Sequence, residues 1–176
     1  MLNRSGYTTA AFTDMEFVSP RFGFGRGFQT YEVTNKLTPN NAALQWLEEN
    51  RGKKFFLFVH TYAVHDPYSP EEKFDIFGND DYTGKIKKIQ PGTDWREPRQ
   101  EFWSNVNISD SRDIEHLEVL YDGEIFYVDS FIGLMEDEIE KLGLSDNTVL
   151  IILSDHGEEF MEHGGLEHIN TAYEEL

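Results

Sequence analysis

The sequence predicts an α/β fold built on a largely parallel sheet. Two apolar runs carry this reading: Lys54–His60 ("KFFLFVH") and Thr148–Leu153 ("TVLIIL"). Each holds five consecutive apolar residues between charged or turn residues, the pattern of a strand buried on both faces. The third observation is their order. A helix precedes the first run, and a long excursion and a longer helix separate it from the second, so strands and helices alternate.

Taken from the start, Leu2–Gly6 ("LNRSG") reads as the tail of a helix closed by Gly6. Tyr7–Phe12 ("YTTAAF"), rich in Thr and aromatics, reads as a short strand. Arg21–Val33 is a Gly/Phe-rich loop followed by a second short strand. Its Gly23, Gly25 and Gly27 do not fit G-x-G-x-x-G and no helix opens there, which removes a dinucleotide fingerprint. Thr38 caps a helix with Pro39 in its first turn, and Ala42, Leu44, Trp46 and Leu47 form its apolar face up to Gly52.

After Lys54–His60, residues 66–113 are a polar excursion with one short helix, and loops of that length are usually functional. From Ile114 to Leu142 the apolar residues Leu117, Tyr121, Ile125, Val128, Ile132, Met135, Ile139 and Leu142 recur every third or fourth position, which predicts a long helix closed by Gly143. Asp146-Asn147 turns the chain into Thr148–Leu153. Asn170–Leu176 reads as the start of a further helix.

The 176 residues, 39% hydrophobic and 14% aromatic, suit one globular domain large enough to bury a core. A formal net charge of -18 repels nucleic acid and anionic membranes. An anionic substrate remains compatible, because a cation bound in a cleft reverses the local field. The chain has no cysteine, which removes disulfides, thiolate metal sites and a cysteine nucleophile from these residues. No apolar run approaches the ~18 residues of a membrane span. The first residues lack the apolar stretch of a signal peptide. Location is cytoplasmic if Met1 is the true start, and periplasmic or secreted if a segment precedes it. Oligomeric state is left open.

In open parallel sheets, ligands sit beyond the carboxyl ends of the strands. Both apolar runs issue into polar chemistry there: "HTYAVHDPY" (His60–Tyr68) and "SDHGEE" (Ser154–Glu159). Asp155 and His156 leave their run on successive positions. A carboxylate and a neutral imidazole are sound ligands for a divalent metal, and Gly157 lets the backbone turn sharply beside them. The alternative is a polar strand end with Asp155 capping the next helix. His65 is placed to bond an anionic substrate or protonate a leaving group, or else to pack against Tyr62 or Tyr68. His163 and His168 follow Asp155 by 8 and 13 residues, and either can return to the site. Glu158, Glu159 and Glu162 read as a solvated face or cap. His60, His116 and Asp129 read as structural.

These pieces together resemble the sulfatase family of the alkaline phosphatase superfamily. The matching stretches are "GYTTAAF", "GFGRGFQTYE", "FFLFVHTYAVHDPY", "YDGEIFYVDSFIGLMEDEIEKLGLSDNTVLIILSDHGEEFMEHGG" and "EHINTAYEEL", in family order over nearly the whole chain. The resemblance implies an alkaline-phosphatase-like α/β sandwich with a largely parallel central sheet, here incomplete at both ends. It implies a hydrolase of sulfate esters acting on a small anionic ester. Asp155 and His156 fall on the family's metal-ligand pair, with Ca2+ the expected cation, or Mn2+ in relatives directed at phosphorus esters. His65 falls on the histidine that contacts the sulfate and the leaving-group oxygen, and His168 on a substrate-contacting position. His163 is given a supporting or structural place.

The departures shape the expectation. The family nucleophile is a formylglycine made within C/S-x-P-S-R. Here Ser19-Pro20-Arg21 has the wrong spacing. The family's N-terminal strand with paired aspartates also has no counterpart. Residues 1–176 are therefore expected to be a partial sulfatase catalytic domain, without the nucleophile segment and the C-terminal strands, and inactive alone. A phosphonate or phosphodiester hydrolase, or a phosphoglycerol transferase, is the neighbouring reading, since Asp-His replaces Asp-Asn. A non-catalytic acidic binding module is the reading from another class.

Overall fold

The computed structural model describes residues 2–14, 17–33, 41–78, 81–89, 96–168 and 172–174. The chain divides into two compact units: residues 1–63 with 128–149, and residues 64–127 with 150–176.

The first unit holds a three-stranded parallel sheet of order β2-β1-β3, with β1 at Thr8–Thr13, β2 at Thr30–Val33 and β3 at Phe55–His60. Before it, Leu2–Ser5 form a 3-10 turn closed by Gly6 at φ 82°, in the left-handed region that glycine occupies without strain. β1 is central, and its Ala10 and Ala11 are fully buried. Helix α1, Ala42–Asn50, packs on that sheet through Ala43 and Trp46 against Ala10, Phe12 and the Phe55, Leu57 and Val59 side chains of β3. Its cap is Asn41, whose side chain accepts the Ala43 N–H at 2.8 Å. Asn41 thus satisfies an orphan donor of the first turn. Thr38 and Pro39 lie outside the described residues.

β3 is a parallel strand as expected, but it is not buried on both faces. Phe55, Leu57 and Val59 face the core, while Phe56 and Phe58 stay 41% and 37% exposed beside Phe28. Alternation follows from the strand's period of two with one covered face. The second apolar run departs further. Thr148–Leu153 forms no strand, and Val149 and Leu153 are more than four-fifths exposed. A strand needs a neighbour for its backbone groups and a layer over its side chains. No strand among the described residues pairs with this run.

Helix α3, Ser111–Lys141, starts slightly earlier than the periodicity predicts and ends where it predicts. Leu144 N–H reaches Ile139 O at 3.0 Å and Gly143 N–H reaches Glu140 O at 2.9 Å, with Gly143 at φ 68°. This is the Schellman arrangement that satisfies the last carbonyls.

In the second unit, the polar excursion contributes side chains to the core. It carries a 3-10 turn at Glu72–Phe74 and helix α2 at Arg96–Ser104. Tyr68, Ile86 and Phe102 from it pack with Ile114, Leu117 and Leu120 of α3 and with Phe160. Tyr68 is fully buried, with Phe102, Trp103, Tyr121 and Phe160 around its ring at centroid distances of 5.3–6.5 Å. Burial of so large a ring is a major local contribution to stability. A two-stranded antiparallel hairpin completes the unit, with β4 at Glu159–Phe160 and β5 at Leu166–Glu167. The expected helix at Asn170–Leu176 lies largely outside the described residues, and Ala172–Glu174 are not helical.

Candidate active site

The segment after β3 and the hairpin after Asp155 meet within the second unit. The His65 and His168 ring centroids are 5.9 Å apart, and those of His168 and His156 are 3.9 Å apart. His156 Nε2 lies 3.8 Å from Asp155 Oδ1. The four residues singled out from the sequence therefore form one chain of neighbours. Their placement differs in one respect: Asp155 follows an exposed irregular run, and its side chain is 86% exposed.

Each imidazole has its Nδ1 against an acceptor that has no proton to give. His65 Nδ1 lies 2.9 Å from Asp66 O and 3.1 Å from Asp66 Oδ1. His156 Nδ1 lies 2.8 Å from Gly157 O. His168 Nδ1 lies 2.7 Å from Glu158 Oε1. Carbonyl and carboxylate oxygens only accept, so all three Nδ1 atoms carry hydrogen and Nε2 becomes the variable atom of each ring.

The carboxylates behind these rings were not found by the sequence reading. Asp66 is buried. Burial alone would raise its pKa, but hydrogen bonds from His65, Trp103 and Arg99 outweigh this and hold it below the usual carboxylate value. The Trp103 Nε1–H reaches Asp66 Oδ2 at 2.7 Å and Arg99 Nε reaches it at 2.6 Å. Through its own hydrogen bond to the imidazole, Asp66 in turn raises the His65 pKa against the opposing effect of burial. Arg99 also pairs with Glu167, the residue before His168, which sits at φ 64°. A non-glycine residue there is a local strain held by its surroundings.

Glu158 and Glu159 are not a solvated face, whereas Glu162 stays exposed. The Glu158 side chain is only 5% exposed, and its Oε2 accepts the Tyr68 hydroxyl at 2.9 Å. Glu159 folds into its own hairpin turn, where Oε1 accepts the N–H groups of His163 and Gly165 at 3.1 and 2.8 Å. Glu162 accepts the Phe160 N–H at 2.6 Å. His163 stacks on Tyr173 at 3.8 Å. His116 stacks on Tyr82 at 3.7 Å. His60, in the first unit, stacks on Phe58 with its Nδ1 3.9 Å from Asp14 Oδ1.

Two signals in the sequence pointed at the missed groups. Asp66 is adjacent to His65, and Glu158 lies two residues beyond His156. Neither distinguishes a buried carboxylate from a solvated one.

A family model described as Sulfatase matches residues 1–175. The chain belongs to the sulfatase family. A relative from Trinickia caryophylli, the multifunctional alkaline phosphatase superfamily protein PehA, is 25% identical over 137 residues, which cover 69% of this chain and 27% of that protein. The chain thus spans about a quarter of that relative's length. The parallel sheet and its helices agree with the alkaline-phosphatase-like α/β fold of this family. No described helix is long and apolar enough to cross a membrane.

Family members work with a divalent metal, and the residues here suit one. His156 Nδ1 donates to a backbone carbonyl, the outer hydrogen bond typical of a metal-ligating imidazole, and this leaves Nε2 beside the Asp155 carboxylate. His156, Glu158 and His168 also offer ligand atoms within 4.8 Å of one another.

Proposed function

We propose that this sulfatase-family chain carries part of the active centre of a sulfuric ester hydrolase. The supporting observation is the meeting of His65, His156 and His168, with Nδ1 of every ring held by an acceptor. In this reading Asp155 and His156 hold a divalent cation, with Ca2+ expected. A bound cation would polarise the sulfuryl group and favour charge on its oxygens. His65 and His168 face those oxygens through Nε2 as charge develops on them. His65, whose pKa the hydrogen bond to Asp66 raises, supplies the proton to the leaving-group oxygen. The nucleophile, a formylglycine, comes from residues outside these 176.

One carboxylate and one imidazole are far short of the roughly six to eight oxygens that calcium takes. The isolated chain is therefore expected to bind metal weakly and to turn over no substrate at a useful rate. Calorimetric titration with Ca2+ and Mn2+, together with an aryl sulfate assay, tests this. Micromolar affinity accompanied by turnover would overturn it.

The phosphorus-directed reading has one observation of its own, the imidazole in the metal pair, which also suits Mn2+. In that case the substrate is a phosphonate or phosphodiester, or the reaction a phosphoglycerol transfer. Comparing rates of the complete protein on nitrophenyl sulfate and nitrophenyl phosphonate esters separates the two. Failure on both favours an acidic binding module.

A further inference from the structure

Behind His168 lies a buried carboxylate that the reading above does not use. The hairpin pairs Glu159 with Glu167 and Phe160 with Leu166, so the next positions outward, Glu158 and His168, face each other across the two chains. The register explains why Glu158 Oε1 meets His168 Nδ1 at 2.7 Å from 10 residues away. The second oxygen of Glu158 is fixed independently. It accepts the hydroxyl of Tyr68, a residue with no exposed surface, 90 positions away in sequence. Burial keeps that hydroxyl protonated, with the Glu158 charge adding to the effect, so Tyr68 acts as a donor. Both oxygens are thus assigned, and Glu158 presents a fixed acceptor to one edge of the ring.

A carboxylate placed this way decides which imidazole nitrogen holds the hydrogen and how the ring is turned. We propose that Glu158, held by Tyr68, is a positioning residue that locks His168 with hydrogen on Nδ1 and directs its Nε2 at the anionic group of the substrate. The geometry of the lock rests on the hairpin and Tyr68 alone. Its purpose rests on the proposed role of His168 toward a sulfuryl or phosphoryl oxygen. The residue before His168, Glu167, has φ 64° and its side chain pairs with Arg99.

The test uses the metal-free chain with 15N-labelled histidine at a pH where His168 is neutral. The expected spectrum shows His168 protonated on Nδ1. Glu158→Gln keeps the shape but offers an amide that donates as readily as it accepts, so the Nδ1-H to Nε2-H ratio is expected to fall by about tenfold. Tyr68→Phe is expected to lower the ratio less, because Glu158 remains. A parent spectrum dominated by hydrogen on Nε2 overturns the proposal even if Glu158→Gln does not fold. So does an unchanged ratio in a folded Glu158→Gln.

A second arm titrates inorganic sulfate and inorganic phosphate into the parent. A shift of the His168 Nε2 resonance supports the substrate role. If neither anion moves it while the tautomer result holds, the substrate role fails and the lock stands.

Discussion

His65 and Arg99 share the carboxylate of Asp66, one on each oxygen: His65 Nδ1 lies 3.1 Å from Oδ1 and Arg99 Nε lies 2.6 Å from Oδ2. The arrangement raises the His65 pKa. A raised histidine stabilises the fold below its ordinary value of 6.5, and that contribution is lost as pH rises through the folded-state value. Asp66→Asn removes the largest cause, the carboxylate, and leaves burial opposed only by the residue 66 carbonyl and the more distant Glu158. The His65 titration, followed by NMR, is expected to move to lower pH. Unfolding free energy at pH 6 should fall by roughly 2 kcal/mol, because Trp103 and Arg99 lose a buried charged acceptor and Arg99 keeps only Glu167.

Glu124, on α3, gives a dependence of the same sign over a different pH range. Burial pushes its carboxyl up to about 7, the Glu71 charge adds to this, and the hydrogen bond from Ser69 N–H at 3.0 Å opposes it. The neutral form is favoured in the fold. Stability from this group is therefore full below its ordinary value of 4.5 and declines as pH rises through about 7. Glu124→Gln can still accept the Ser69 N–H. It is expected to exceed the parent in stability at pH 8 by up to about 3 kcal/mol and to match it at pH 4. Urea midpoints at the two pH values check this, and an equal gain at both would contradict it.

Two glycines of the same helix should respond with opposite signs. A methyl added at Gly123 would stand 2.7 Å from Pro70 Cγ and 3.1 Å from Phe74 O, whereas one at Gly133 would meet nothing within 4 Å. Gly123→Ala is expected to cost about 1–3 kcal/mol through overpacking. Gly133→Ala should gain up to about 1 kcal/mol from helix propensity. Thermal melts of the two variants decide the matter.

Metal removal should leave the chain's stability almost unchanged. A cation held chiefly by Asp155 and His156, with Asp155 86% exposed, binds too weakly to add much folding free energy at low millimolar concentration. The melting temperature with excess EDTA is expected to fall within about 1 °C of that with calcium. A drop of several degrees would show that more ligands take part.

Much of this architecture was legible in the residues. The recurrence from Leu117 to Leu142 and the stop at Gly143 predicted α3, because amphipathic spacing and a left-handed closing residue are local properties. The run at Phe55–Val59 predicted a parallel strand for the same reason. Thr148–Leu153 has an equally strong apolar pattern and is not a strand, since pairing and cover come from other parts of a fold. Hydrophobicity states a demand for burial and cannot state that it is met.

The sequence by itself determined the α/β class, the family, and the identity of His65, Asp155, His156 and His168 as the residues to inspect. Tertiary structure decided that His65, His156 and His168 meet, and that Asp66 and Glu158 stand behind two of them. The reason is distance along the chain. Glu158 sits in an acidic stretch that looks solvated, and it is buried because Tyr68, 90 residues earlier, reaches it and the hairpin register turns it toward His168. A local pattern sets what a side chain can do, whereas the partners that fix its proton and its orientation arrive from elsewhere in the fold.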